Sequence, residues 1–352
     1  DPDLFRPHIE AMRKHLTLLF LLSFPGCGGI QTPVVPSVEK TSDDPMDVET
    51  KKVATDLGFR LQEQIDPDTY HLTLAIDPRE EKVTGQVKIE ARLPKAARSI
   101  RLNAKGIKIL SARIRGTNTL LQGEWSLNER GHLVLTFPSA LEARPVNIEI
   151  EFETQASDSE TGLFRKRAGD HWYLFSRFDP IYARRSFPCF DEPSSRAQFK
   201  LELRVPQNMV AVSSAPEVGR KQIDGHLVFS FEKTQPIAPH MLAFAVGPFD
   251  ISEPENQTGP VQPMRLISTR GKGALGQYAL QRAALIDGYL KGYFKRGAPF
   301  PKLDLLAVPT FESGSTHTVG LMKLRESLML MDGSHASIRR RLWLDTALAQ
   351  QM

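Results

Sequence analysis

Cysteine is nearly absent from the 352 residues, which hold only Cys27 and Cys189. Two thiols cannot build a disulfide framework or a cysteine-based metal site. The nine histidines are His8, His15, His71, His132, His171, His226, His240, His317 and His335. No two of them stand three or four positions apart, so no helix offers a pair of imidazoles on one face to a metal. Glycine patterns of the dinucleotide or P-loop kind are missing too. Charge of one sign is not in excess: 45 basic against 41 acidic residues leave a net charge of +4, spread along the chain. So even a distribution argues against a nucleic-acid partner. The apolar run Leu16–Phe24 is too short to cross a bilayer, which takes about 20 residues. What remains is an ordinary globular composition, 24% charged and 41% hydrophobic, at a length that suggests about two domains.

The N-terminal stretch has the pattern of a targeting signal. Met12-Arg13-Lys14 is a basic start, Leu16–Phe24 an apolar h-region, and Pro25-Gly26-Cys27 closes it. A small residue directly before a cysteine resembles a bacterial lipoprotein cleavage box. Residues 1–11 then form an upstream extension, and 12–27 a signal peptide and lipobox with Cys27 as the lipidated residue. The expected location is outside the cytoplasm, anchored by lipid to a bacterial membrane and facing periplasm or exterior; a plain secretory signal is the alternative. Residues 28–55, rich in Pro, Ser, Thr and Asp, read as a flexible linker. With Cys27 lipidated, Cys189 is a lone buried thiol.

Short alternating segments follow. Tyr70, Leu72, Leu74 and Ile76 share a two-residue period, as do Val83, Gly85, Val87, Ile89 and Ala91. So do Val146, Ile148, Ile150 and Phe152, then Phe199, Leu201, Leu203 and Val205, then Leu227, Phe229 and Phe231. Such alternation, broken by Gly, Pro and Asn, predicts an antiparallel β-sandwich over residues 56–252. No long period repeats, which excludes a solenoid or propeller. The Pro/Gln-rich stretch 253–263 reads as a connection. Beyond it, 253–352 is mixed: a helix over Leu275–Phe294, a strand over Leu303–Val308, and a helix from Ser337 to the end. Tyr278, Leu285, Ile286, Tyr289, Leu290 and Phe294 are expected to pack into the core, and Arg339-Arg340-Arg341 to form a solvated face.

Three stretches carry chemistry. Arg184-Arg185-Ser186-Phe187-Pro188-Cys189-Phe190-Asp191-Glu192-Pro193 reads on its residues as a turn tied by ion pairs. Pro299–Glu326 reads as a strand, a small-residue loop and another strand, with Gly314 suited to a tight turn and His317 a solvated side chain. Ser315 and Thr316 make no catalytic triad without a base and an orienting acid. The first stretch closely resembles the A-R-R-x-F-P-C-F-D-E-P signature of the zinc aminopeptidase family that includes aminopeptidase N and leukotriene A4 hydrolase. The second resembles that family's P-x-P-K-L-D…G-A-M-E-N-x-G-L segment.

The resemblance covers about residues 65–350. It implies a β-sandwich followed by the truncated start of a thermolysin-like catalytic domain, thus a mostly β fold followed by α/β. It also implies a substrate cleft lined by Arg177, Asp179, Gly314, Ser315, Thr316, His317 and Thr318. Here three departures appear. His317 stands where the family's amine-binding glutamate belongs, and an imidazole offers no negative charge. Ser176-Arg177-Phe178-Asp179 matches the family's T-Q-F-E, placing a cation where a substrate ammonium would approach. At the end of the chain, Gln350 aligns with the first zinc ligand and Gln351 with the general base of the H-E-x-x-H motif. Neutral amides serve neither role, so no metal ligand and no catalytic residue is intact in this chain. The expected function is a non-catalytic aminopeptidase-like protein, without cofactor, that keeps a peptide- or protein-binding scaffold. Its membrane contact runs through Cys27. The alternative is the front part of an active zinc aminopeptidase whose metal motif lies further on. Neither reading fixes an oligomeric state.

Overall fold

In the computed structural model, the described residues are 61, 65–115, 120, 121, 123–254, 262–316 and 318–352. The expected signal segment, linker and Cys27 lie outside them.

Period-two patterning builds the largest sheet. Its strands are β1 (Asp66–Ala75), β2 (Lys82–Leu93), β4 (Lys108–Arg115), β5 (Leu120–Leu121), β8 (Arg144–Gln155), β11 (Gln198–Pro206), β13 (Glu217–Ile223) and β14 (His226–Phe231). They lie in the order β13-β14-β11-β1-β2-β8-β4-β5. Tyr70, Leu72 and Leu74 of β1, Val87 and Ile89 of β2, and Ile148, Ile150 and Phe152 of β8 are all buried. The alternation thus sends one face inward. Every pairing is antiparallel except one: β1 and β11 run parallel, with Tyr70 opposite Phe199 and Leu72 opposite Leu201. The wholly antiparallel expectation is corrected at that seam, because β11 reaches β1 by a long crossover and not by a hairpin. A three-stranded antiparallel sheet of β3 (Ala97–Asn103), β6 (Glu124–Leu127) and β7 (His132–Leu141) feeds Ile100, Leu102, Leu133 and Leu135 into the same core.

A four-stranded sheet forms the middle layer, with β9 (Gly162–Ala168), β10 (His171–Arg177), β12 (Val210–Ser213) and β15 (Phe244–Gly247) in the order β12-β15-β10-β9. Leu174, Phe244 and Val246 point into the sandwich core. Phe164, Tyr173, Phe175 and Ala245 point the other way, onto Ile267, Leu306, Val308 and Leu321. Because both faces are covered, β10 and β15 read as continuous apolar runs and give no alternation signal.

Those last partners belong to a mixed five-stranded sheet of β16 (Asp250–Ser252), β17 (Met264–Ser268), β18 (Leu303–Val308), β19 (Ser315–Thr316) and β20 (Leu321–Arg325), in the order β16-β17-β18-β20-β19. β17, β18 and β20 run parallel. Asp250–Ser252 precedes the expected 252/253 boundary yet already belongs to this sheet. On its far face pack helix α1 (Gln277–Phe294), the single turn α2 (Glu326–Met329) and helix α3 (Ile338–Gln351). Leu266, Leu305, Met322 and Leu324 meet Leu280, Ala283, Leu344 and Leu348 there.

Two helix expectations are corrected. α1 buries Ala279, Leu280, Ala283 and Asp287 and packs Tyr278 and Ile286 against the same core as expected, while Leu285, Tyr289 and Phe294 are exposed. The approach is too close for large side chains: a Cβ on Gly276, just before the helix, would sit 2.5 Å from Leu266. The small-residue face therefore goes to the sheet. The arginine run, in turn, is not merely solvated. Arg340 donates to the carbonyls of Ser327 and Leu330, and Arg341 to that of Ala336, tying α3 to the segment before it.

The 184–193 stretch is a turn locked by charge, as its residues suggest. Arg184 Nε meets Asp191 Oδ2 at 2.8 Å, and its Nη2 donates to the Asp191 carbonyl at 2.7 Å. Asn103 and Cys189 bond backbone to backbone at 2.8 and 3.1 Å, and Phe190 N–H donates to the Tyr70 hydroxyl at 3.1 Å. Cys189 is a free, buried thiol. Burial, followed by the nearby Asp191 carboxylate, pushes it well above its ordinary pKa, leaving it inert at neutral pH. Asp191 exposes 1% of its side chain and Arg184 12%. Removing one member strands a buried charge, so Asp191→Ala is expected to lower stability by about 3 kcal/mol in urea unfolding. A loss within the ordinary surface range would show that the pair does not hold the turn.

Candidate functional site

The loop between β18 and β20 is gripped from three sides. From the middle sheet comes Glu160, a buried carboxylate just before β9. Its Oε1 accepts from Glu312 N–H at 2.9 Å, and its Oε2 from Ser313 N–H at 3.3 Å and Ser313 Oγ at 3.1 Å. Lys166 closes the shell at 3.3 Å. Burial pushes the Glu160 pKa up, but these backbone donors and the ammonium outweigh it and hold the carboxyl below its ordinary range. From β20, Arg325 donates Nε to Phe311 O at 2.6 Å and Nη2 to Glu312 O at 2.9 Å. From the start of β18, Lys302 Nζ reaches Ser213 O at 2.7 Å, and Asp304 Oδ2 and Gly320 O at 2.8 Å each.

Glycine is required twice in this loop. Gly314 has φ +76° with open space around it, so it serves the turn. Gly320 has φ +65°, and a Cβ there would lie 2.1 Å from Ser214 O, so it also allows close passage of two backbones.

The structure brings several of the sequence-expected residues together. Arg177 ends β10; its Nε lies 3.4 Å from Asp179 Oδ2 and its Nη1 donates to Glu160 O at 3.2 Å. Ser315, on β19, accepts from Gln351 Nε2 of α3 at 3.1 Å. Thr316 pairs with Lys323 across β19–β20, and Thr318 Oγ1 donates to Leu321 O. Gln350 is exposed, one position and so about 100° round the helix from Gln351. His317 lies outside the described residues.

Lys323 has no counterpart in the sequence expectations. It is fully buried, on the face of β20 that looks toward the middle sheet, with Nζ 2.6 Å from Ser176 O. Burial drives its pKa down to about 8; Asp179 pulls it up and Arg177 down. The signal for it was a cation inside the apolar run Leu321–Leu324, and for Glu160 there was none. Among the described residues, no group of three or more His, Cys, Asp or Glu gathers as metal ligands. The side chains at the end of α3 are amides. Neutral amides are poor zinc ligands.

The middle sheet thus lies between a β-sandwich and a mixed sheet, with a clamped glycine loop at the seam. Residues 66–240 match the Peptidase M1 N-terminal domain, and the chain belongs to the M1 aminopeptidase family, the aminopeptidase N family. It is 29% identical over 297 residues to Aminopeptidase M1 of Arabidopsis thaliana, covering 81% of this chain and 33% of that protein. Aminopeptidase M1-C of Oryza sativa subsp. japonica is 31% identical over 289 residues, 80% of this chain and 32% of the relative. Endoplasmic reticulum aminopeptidase 2 of Bos taurus is 28% identical over 279 residues, 75% and 29%. The chain therefore spans about a third of the length of the curated relatives it matches.

Lys323 makes the seam sensitive to alkali. Its pKa falls from an unfolded 10.5 to about 8, so between those values the unfolded chain holds more protons than the folded one. Stability from this residue is lowest below pH 8 and climbs as pH rises toward 10.5. In denaturation measured from pH 7 to 10, wild type is expected to gain stability relative to Lys323→Met across that window. A constant difference between the two proteins would refute a buried, titrating lysine.

Proposed function

We propose that this chain is a non-catalytic member of the aminopeptidase N family whose retained cleft binds a peptide or a protein segment. The observation that carries the reading is the Gln351–Ser315 contact, which joins the end of α3 to the cleft loop through a neutral amide. The family resemblance puts the general base at this place. An amide has no proton affinity near neutral pH and cannot activate water. Two cations support the same reading: Arg177, spending its guanidinium on Asp179 and Glu160 O, and Lys323 in the wall behind it. Positive charge there opposes the ammonium that an exopeptidase must hold. The mixed sheet with α1 and α3 is read as the opening of a thermolysin-like domain, which supplies the walls of a cleft.

The relatives' own names favour a second reading, the front part of an active zinc aminopeptidase with its metal motif further along. Metal analysis and hydrolysis of aminoacyl arylamides by the complete gene product separate the two. The expected result is no stoichiometric zinc and no release, together with calorimetric binding of peptides that Arg177→Gln alters. Chelator-sensitive release of N-terminal residues would overturn it.

The exported, lipid-anchored location rests on Met12–Cys27 alone. Fatty-acid labelling in a bacterial host is expected for wild type and not for Cys27→Ser; equal labelling of both removes the anchor.

A further inference from the structure

We infer that the outward face of the three-stranded sheet, where β3 ends under the 184–193 turn, holds a binding site for a phosphate-type oxyanion. Three segments converge there. Asn103 closes β3 and exchanges backbone bonds with Cys189. Ala104 N–H then donates to Gly131 O at 2.7 Å, and Lys105 N–H to Arg184 O at 2.8 Å. The turn between β6 and β7 passes so close that a Cβ on Gly131 would stand 2.8 Å from Lys105 Cα. Every member lies within residues 66–240, and none belongs to the mixed sheet or its helices.

The side chains on this face are donors. Leu102 and Leu133 turn into the core, so their neighbours Arg101, Asn103 and His132 turn the other way. Asn103 and His132 stand opposite one another across β3–β7. Asn103 is fully buried: its Oδ1 accepts from Asp191 N–H at 3.1 Å, while its Nδ2 meets no acceptor. An enclosed donor left unmatched is rare in a folded protein. Arg101 and Arg130 are exposed, and neither has an ion-pair or hydrogen-bond partner among the described residues.

Charge on the face is unbalanced. Arg184 is spent on Asp191. That leaves Arg101 and Arg130 against one carboxylate, Glu192, which already accepts from Leu61 N–H at 3.2 Å. His132 registers the excess: burial pushes its pKa down, Arg101, Arg184 and Arg130 push it further, and Glu192 opposes them. Two uncommitted guanidinium forks and an amide N–H suit a group with several oxygen acceptors. A cation would be repelled, and a neutral ligand would leave the charge unmet. Phosphate has the required form, either as the free ion or as the diester of a lipid headgroup.

Titration of the His132 ring by NMR in the full 352-residue chain tests this. Inorganic phosphate replacing chloride at constant ionic strength should raise the His132 pKa saturably by about one pH unit, because an anion beside it favours the imidazolium. Dimethyl phosphate is the headgroup probe. A response to it alone assigns the site to a lipid; a response to inorganic phosphate assigns it to a soluble ligand. Arg101→Gln and Arg130→Gln should each raise the His132 pKa without ligand and weaken the phosphate response about tenfold. Arg113→Gln, an exposed position on β4, should change neither. Two results would each overturn the inference. Both phosphates could act on wild type no differently from chloride, or the Arg101 and Arg130 variants could respond as wild type does.

Discussion

The four-stranded sheet sends apolar side chains from both faces, and this double burial governs the layers around it. Its one face completes the sandwich core through Leu174, Phe244 and Val246; its other face seats the mixed sheet through Phe164, Tyr173 and Phe175. A layer with no wet face can carry polar groups only at its rim, where each must find a partner. Glu160, Ser176 and Arg177 stand at that rim: Glu160 and Ser176 O meet the 311–323 segment, and Arg177 donates to Glu160 O. The layered fold is thus forced to put these charges at the seam.

The two buried lysines of the seam show how much a partner matters. Lys302 has a carboxylate and two carbonyls, while Lys323 has one carbonyl. Burial lowers the proton affinity of both, but Asp304 returns part of it to Lys302. Glu160 solves the opposite problem: a carboxylate out of water, stabilised by backbone donors of the very loop it fixes. Each of these groups finds its partners within the fold.

Much of this was legible in the residues. Alternation located β1, β2, β8, β11 and β14, and the run Leu303–Val308 gave β18 to the residue. The 184–193 stretch announced its ion pair by composition. What escaped notice did so for definite reasons. β10 and β15 are buried on both faces and carry no period. The parallel β1–β11 seam depends on strands more than a hundred residues apart, which no local pattern encodes. On α1, hydrophobicity pointed to Leu285 and Tyr289, but contact distance decided for Ala279 and Ala283. Arg177, Asp179 and Ser315 as cleft residues, and Gln351 as a degenerate catalytic position, were expected through the resemblance alone. Glu160 and Lys323 became visible only when two distant strands were set side by side.

The mixed sheet ends on one side with β16, three residues long, and on the other with β19, two residues long. Strands this short offer too few free backbone donors and acceptors to template the addition of a foreign strand. Fibrillar growth through edge-to-edge pairing is therefore closed to this half of the molecule.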